Sequence, residues 1–112
     1  MHLNEFQLKK QYINFYDRKA IKFLWTKNNQ KVAEFKIWEW WDGLNISDLK
    51  VYKKYRGNYL SYELIDYAVK KLKVKNLAVK KSNKIAIHIY ENYGFYKTQE
   101  NDNFYYMSFN FE

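Results

Sequence analysis

Residues 51–61 read Val-Tyr-Lys-Lys-Tyr-Arg-Gly-Asn-Tyr-Leu-Ser. Apolar alternation runs up to Val51, and a helical period begins after Asn58, so Arg56 and Gly57 fall in a loop between a strand and a helix. The first amides of a helix have no partners inside it, and the positive end of the helix dipole stands behind them. Phosphate is the natural guest at such a junction. The same junction arises in any α/β protein, so the geometry by itself does not choose a ligand.

Other chemistries are closed by what the chain lacks. It has no cysteine, which excludes thiol nucleophiles, disulfide frameworks and zinc fingers. Two histidines, His2 and His88, cannot build a three-histidine metal site. No apolar run approaches the roughly 18 residues of a membrane span, and no apolar leader follows Met1. The expectation is a cytosolic protein, one domain over residues 1–112, with 47% apolar residues to build a core. The net charge is +8, yet Arg18 and Arg56 are the only arginines among 20 basic residues. Base readout relies on arginine forks, so this lysine bias implies at most non-specific attraction to polyanions. An A/T-rich coding bias would give the same composition. Net charge speaks first to solubility.

The elements that must position the loop can be read from the periodicity. Residues 3–16 fit neither period cleanly. Residues 20–25 and 32–41 are rich in β-branched and aromatic residues, and the polar cluster Lys27-Asn28-Asn29-Gln30 between them is a hairpin signal. Gly43 marks a turn or bulge, and residues 44–51 alternate as a half-buried strand. Leu60, Leu64, Ile65, Ala68 and Leu72 then recur at helical spacing, with Asn58 as N-cap, Glu63 early and Lys70, Lys71 and Lys73 late. Residues 76–79 form a short buried strand. A second helix, capped by Ser82 or Asn83, runs to Tyr93 and ends at Gly94 as a left-handed C-cap. A last hairpin takes residues 94–99 and 104–111. The predicted order is β-β-β-α-β-α-β-β, an α+β fold with helices on a mixed, mainly antiparallel sheet.

Two stretches of this frame resemble one known family. The loop of residues 51–61 with its following helix is similar to the acetyl-CoA loop of GCN5-related N-acetyltransferases. Residues 83–95, Asn-Lys-Ile-Ala-Ile-His-Ile-Tyr-Glu-Asn-Tyr-Gly-Phe, resemble that family's second motif, and Tyr105-Tyr106-Met107 fits its last strand. The resemblance covers the chain from about Ala20 onward. It implies a direct attack of an amine on the acetyl-CoA thioester, with the oxyanion held by a strand amide. Backbone of Leu49, Lys50 and Val51 would meet the thioester and pantetheine. Arg56, Gly57, Asn58, Tyr59, Leu60 and Ser61 would hold the pyrophosphate. Asn83 would sit at the cleft, and Tyr90 would protonate the departing thiolate.

The chain also departs from the pattern. Tyr59 occupies a loop position where the family has glycine, and a side chain there obstructs the approach of backbone to phosphate. A positive φ at that position would add strain. Ser61 stands for the last small residue of the loop. The family places a strand and substrate-binding helices before the hairpin, and about twenty residues precede it here, so the acceptor side is expected to be reduced or completed by a second copy in a homodimer. Glu34, Glu39, Asp42 and Asp48 are the candidate general bases, with Asp48, beside the cofactor strand, chosen first. Tyr90 reads as a core aromatic outside the motif, and His88 as an exposed helix residue. Trp38 and Trp40 share one strand face and Trp41 the other: a core face, an acceptor wall or a dimer surface. The expectation is an acetyl-CoA-dependent N-acetyltransferase. The alternatives are a fold relative that has lost cofactor binding and serves as a binding module, and a basic single-strand nucleic-acid binder.

Overall fold

A computed structural model describes every residue except Trp41, Asn58 and Glu112. Strands β1 (Gln7–Phe15), β2 (Arg18–Lys27), β3 (Gln30–Trp40) and β4 (Gly43–Val51) form an antiparallel meander. Helix α1 (Leu60–Lys70) crosses to β5 (Val74–Lys80), which lies parallel to β4. Helix α2 (Lys84–Tyr93) leads into the hairpin β6 (Tyr96–Glu100) and β7 (Phe104–Ser108), and the sheet order is β1-β2-β3-β4-β5-β7-β6. The mixed, mainly antiparallel sheet with two helices is the α+β arrangement that the sequence implies.

The residues at 3–16 add one strand to the predicted order. β1 is an edge strand exposed along most of its length, so it carries no apolar stripe. It runs straight into β2 through Tyr16 and Asp17, whose φ values of 47° and 62° make a turn matched to the twist of a hairpin. No helix lies between β1 and β2. Asn28 and Asn29, at φ 51° and 64°, close the β2–β3 hairpin in the same way.

Both helices pack on one face of the sheet. Leu60, Leu64, Ile65, Ala68 and Val69 of α1 are buried, and Tyr67 meets Phe23 and Trp25 at ring-centre distances of 6.2 and 5.3 Å. Tyr93 of α2 donates its hydroxyl to Asp66 Oδ1 of α1 at 2.8 Å, which ties the helices together. Alternation then turns Lys22, Glu34, Lys36 and Trp38 to the opposite face, which neither helix covers. Trp38 is half-buried and Trp40 exposed on that open face, so neither belongs to the main core. Trp41 lies outside the described residues.

Two irregularities in β4 break the regularity of the sheet near its centre. Lys36 pairs with Ser47 and Glu34 with Lys50, so between these pairs Phe35 of β3 faces both Asp48 and Leu49 of β4 and the strand carries a bulge. Asp48 sits in it at φ 53°. β4 also keeps its parallel partner β5 only as far as Ile46 opposite Leu77. Beyond that pair the two strands separate, and the sheet opens between them.

Candidate functional site

Where β4 leaves β5, a groove of about 410 Å³ lies on the helical side. Leu49, Lys50 and Val51 form its strand wall, Arg56 and Ser61 the loop and first turn of α1, and Asn83 and Tyr90 the opposite wall on α2. Seven of the residues singled out by sequence therefore converge on one groove. Ile85, Ala86 and Ile89 complete it and were not singled out. Ala86 stands one turn before Tyr90 on the same face, and Ile85 one turn before Ile89, so the spacing from Tyr90 signalled only Ala86.

α2 is fixed at both ends. Asn83 Oδ1 accepts from the Ala86 amide at 3.2 Å, the N-cap contact expected of asparagine. Gly94 closes the helix at φ 127° and ψ 6°, a glycine conformation outside the compact left-handed region expected there. A Cβ at Gly94 would stand 3.1 Å from Phe109, so packing as well as backbone calls for glycine. Between these ends Tyr90 is buried, and its hydroxyl has no hydrogen-bond partner among the described residues. Burial pushes its pKa up to about 12. The hydroxyl keeps its proton at neutral pH, the state that a general acid needs.

The loop side departs from expectation in one respect. The N-cap of α1 is Tyr59, and Asn58, proposed for that role, lies outside the described residues. Tyr59 stands in the left-handed region at φ 60°, ψ 14°, with no side-chain cap, and its ring is 86% exposed. Leu60 turns its side chain into the core at 1% exposure, leaving only its backbone to face the loop. Gly57 adopts φ 83°, and a Cβ there would meet no heavy atom within 4 Å. Arg56 Nε donates to the Val51 carbonyl at 2.9 Å, so its guanidinium braces the end of β4 at the loop. The donors present (Arg56, the Ser61 hydroxyl and the first-turn amides) fit a phosphate-bearing ligand.

The open face carries the carboxylates. Asp48 Oδ2 pairs with Lys36 Nζ at 2.8 Å, so Asp48 and Tyr90 flank the opened sheet from opposite sides. Glu34 is buried, accepts from the Tyr52 hydroxyl and pairs with Lys22 Nζ at 3.3 Å. Burial alone would raise the Glu34 pKa, but the bonds from Tyr52 and Lys22 outweigh it and hold the carboxyl below the usual range. Tyr52 is pushed up to about 12, by burial first and then by Glu34. Glu39 and Asp42 are exposed, as is His88. A second cavity, about 400 Å³, opens on this face along Trp38, Trp40, Asn45, Ser47 and Asn76. Asn76 Nδ2 is buried without a partner among the described residues, while Ser108 Oγ donates to Asn76 Oδ1 at 2.6 Å.

The sequence matches the profile of the acetyltransferase (GNAT) family over residues 2–95. The chain belongs to that family. No curated protein matches it. Among solved structures it is similar to the ribosomal-protein-S18-alanine N-acetyltransferase of Escherichia coli, with 22% identity and a TM-score of 0.67 over 80% of this chain and 68% of that one. The Campylobacter jejuni N-acetyltransferase PseH, in complex with acetyl coenzyme A, gives 26% identity and a TM-score of 0.64, covering 83% and 69% of the two chains. A GNAT family acetyltransferase from Elizabethkingia anophelis with acetyl-CoA bound gives 14% identity and a TM-score of 0.74, over 93% and 97%. In this GNAT family member the helices expected before the hairpin have no counterpart between β1 and β2. Among the described residues no helix is long and apolar enough to cross a membrane.

Proposed function

We propose that the protein transfers an acetyl group from acetyl-CoA to a primary amine. The observation that carries this reading is the groove in which the free edge of β4, the start of α1, Asn83 and Tyr90 meet. Acetyl-CoA supplies an activated acyl carbon and a thiolate leaving group. Arg56, Ser61 and the first-turn amides around Tyr59 and Leu60 hold the diphosphate, with Gly57 giving the loop its course. Backbone of Leu49, Lys50 and Val51, on the edge of β4 that has left β5, orients the pantetheine and thioester, and one of its amides faces the developing oxyanion. Tyr90, with its proton retained and its hydroxyl unpartnered, gives that proton to the thiolate. Asp48, across the sheet on the open side, takes the proton of the incoming amine.

Thermal unfolding with acetyl-CoA, CoA and ATP tests the first step. A ligand at 100 times its Kd adds about 2.7 kcal/mol to stability. A saturable rise with acetyl-CoA and CoA but not ATP supports the reading, and a thiol-release assay with amines then tests the transfer. The strained Tyr59 favours a second reading, a binding module that no longer takes the cofactor. No rise at millimolar acetyl-CoA would select it.

A further inference from the structure

We propose that the open face takes the acetyl acceptor as a short peptide, its free amino terminus at the β4 bulge and a carboxylate about three residues away on Arg18. This rests on the acetyltransfer reading for the direction of the peptide, and on the open face for its chemistry.

Arg18 lies flat on Trp40, its guanidinium carbon 3.6 Å from the ring centre and 5.9 Å from that of Trp38. A guanidinium stacked in this way keeps its in-plane N–H edge free, and that edge matches a carboxylate. Arg18 makes no ion pair among the described residues, whereas Lys22 and Lys36 on the same face are engaged by Glu34 and Asp48. The wall beneath it is the cavity bounded by Trp38 and Trp40. Asp42 also lines this cavity, exposed and without an ion pair among the described residues, and its charge disfavours a densely anionic occupant such as a nucleic acid.

Strand register sets the length of the occupant. Trp40 pairs with Gly43 and Lys36 with Ser47, so four residues of β4 separate the Arg18 end from the bulge. At about 3.3 Å per residue this is about 13 Å. A free α-amino acid spans only about 2.5 Å from its nitrogen to its carboxyl carbon and cannot bridge the gap. An extended peptide of four residues spans about 13–14 Å and can, whereas three residues reach only about 10 Å. Polar groups suited to peptide amides lie between the two ends. Ser47 Oγ accepts from Trp38 Nε1 at 2.8 Å and keeps its own proton unassigned, and Asn76 Nδ2 lacks an acceptor among the described residues. At the far end the Asp48 carboxylate suits an amino terminus.

Tetraalanine, its C-terminal amide and free alanine are the probes, read by tryptophan fluorescence of the full chain. Tetraalanine is expected to bind at least about 10-fold more tightly than its amide, equivalent to about 1.4 kcal/mol, and alanine no better than the amide. Arg18→Gln is expected to abolish the difference, and Arg18→Lys, which keeps charge but loses the fork, to retain part of it. Equal binding of tetraalanine and its amide, no binding of either at millimolar concentration, or an undiminished preference in Arg18→Gln would overturn the proposal. Acetyl-CoA binding is followed by thermal shift on the same samples. If it fails while the tetraalanine preference persists, acetyl transfer is lost and the peptide site stands; the reverse outcome removes the peptide site alone.

Discussion

Lys36 Nζ lies 2.8 Å from Asp48 Oδ2, beside the place where β4 carries one residue more than β3 opposite it. The bulge sets Asp48 at a positive φ, and the lysine holds its carboxylate on the open side of the sheet. If that carboxylate receives the proton of the amine, Asp48→Asn should lower kcat by about 100-fold, the lower end of general-base contributions. The KM for acetyl-CoA should stay unchanged, since Asp48 does not line the groove on the helical side. Steady-state thiol release decides this, and an unaltered kcat would assign the proton to water.

Tyr90 calls for a different signature. Removing its hydroxyl leaves the packed ring in place, so Tyr90→Phe should unfold at the wild-type temperature. Turnover should fall by about 100-fold through loss of the general acid. A variant that melts lower in step with its lost activity would reduce Tyr90 to a core residue.

Tyr59 holds a conformation that costs a residue with a Cβ about 1–2 kcal/mol. Glycine relieves this strain but loses more entropy on folding, so Tyr59→Gly should gain about 1 kcal/mol net. That is a rise in Tm of about 4 °C or more for a chain of this size. The same change clears a ring that is 86% exposed from the phosphate loop. Acetyl-CoA affinity measured by calorimetry should increase. An unchanged Kd would show that the ring already stands clear of the ligand.

The Tyr52–Glu34 pair sets limits on stability at both ends of the pH scale. Tyr52 is raised to about 12 in the folded chain from an ordinary value of 10.0. Between those values the unfolded chain gives up the proton and the folded chain does not, so stability falls as pH rises through that window. Tyr90, also raised to about 12, adds to the same loss. Glu34 is lowered from 4.5, so its contribution is present above that value and is lost as pH falls below it. Melting temperature followed against pH should show both limbs, and Tyr52→Phe should flatten the alkaline one.

Most of the helical side of the site was legible because its signals are local. Asn83 caps its own helix, Gly94 stops it, and the apolar spacing from Leu60 to Ala68 declares the buried face of α1. β1 was not legible, since an edge strand exposed along much of both faces has no reason to alternate. The bulge left a trace that simple alternation hides: Leu44 and Ile46 are two apart, as are Leu49 and Val51, but three positions separate Ile46 from Leu49. That slip of one places Asp48 at the irregularity. The exposure of Trp38 and Trp40 depends on whether a helix covers their face, a fact about the Tyr16-Asp17 turn rather than about the tryptophans. The separation of β4 from β5 is likewise a matter of tertiary pairing.

The short turn at Tyr16 and Asp17 also governs how a molecule is received on the open face. Strands with a neighbour on each side hold their side chains on a stiff ground, so little order has to be created in the protein on arrival. Among the described residues no helix folds over that face either, so one flank of a molecule seated there would stay wet. Selection on such a surface works through spacing along the strands, and release is correspondingly quick.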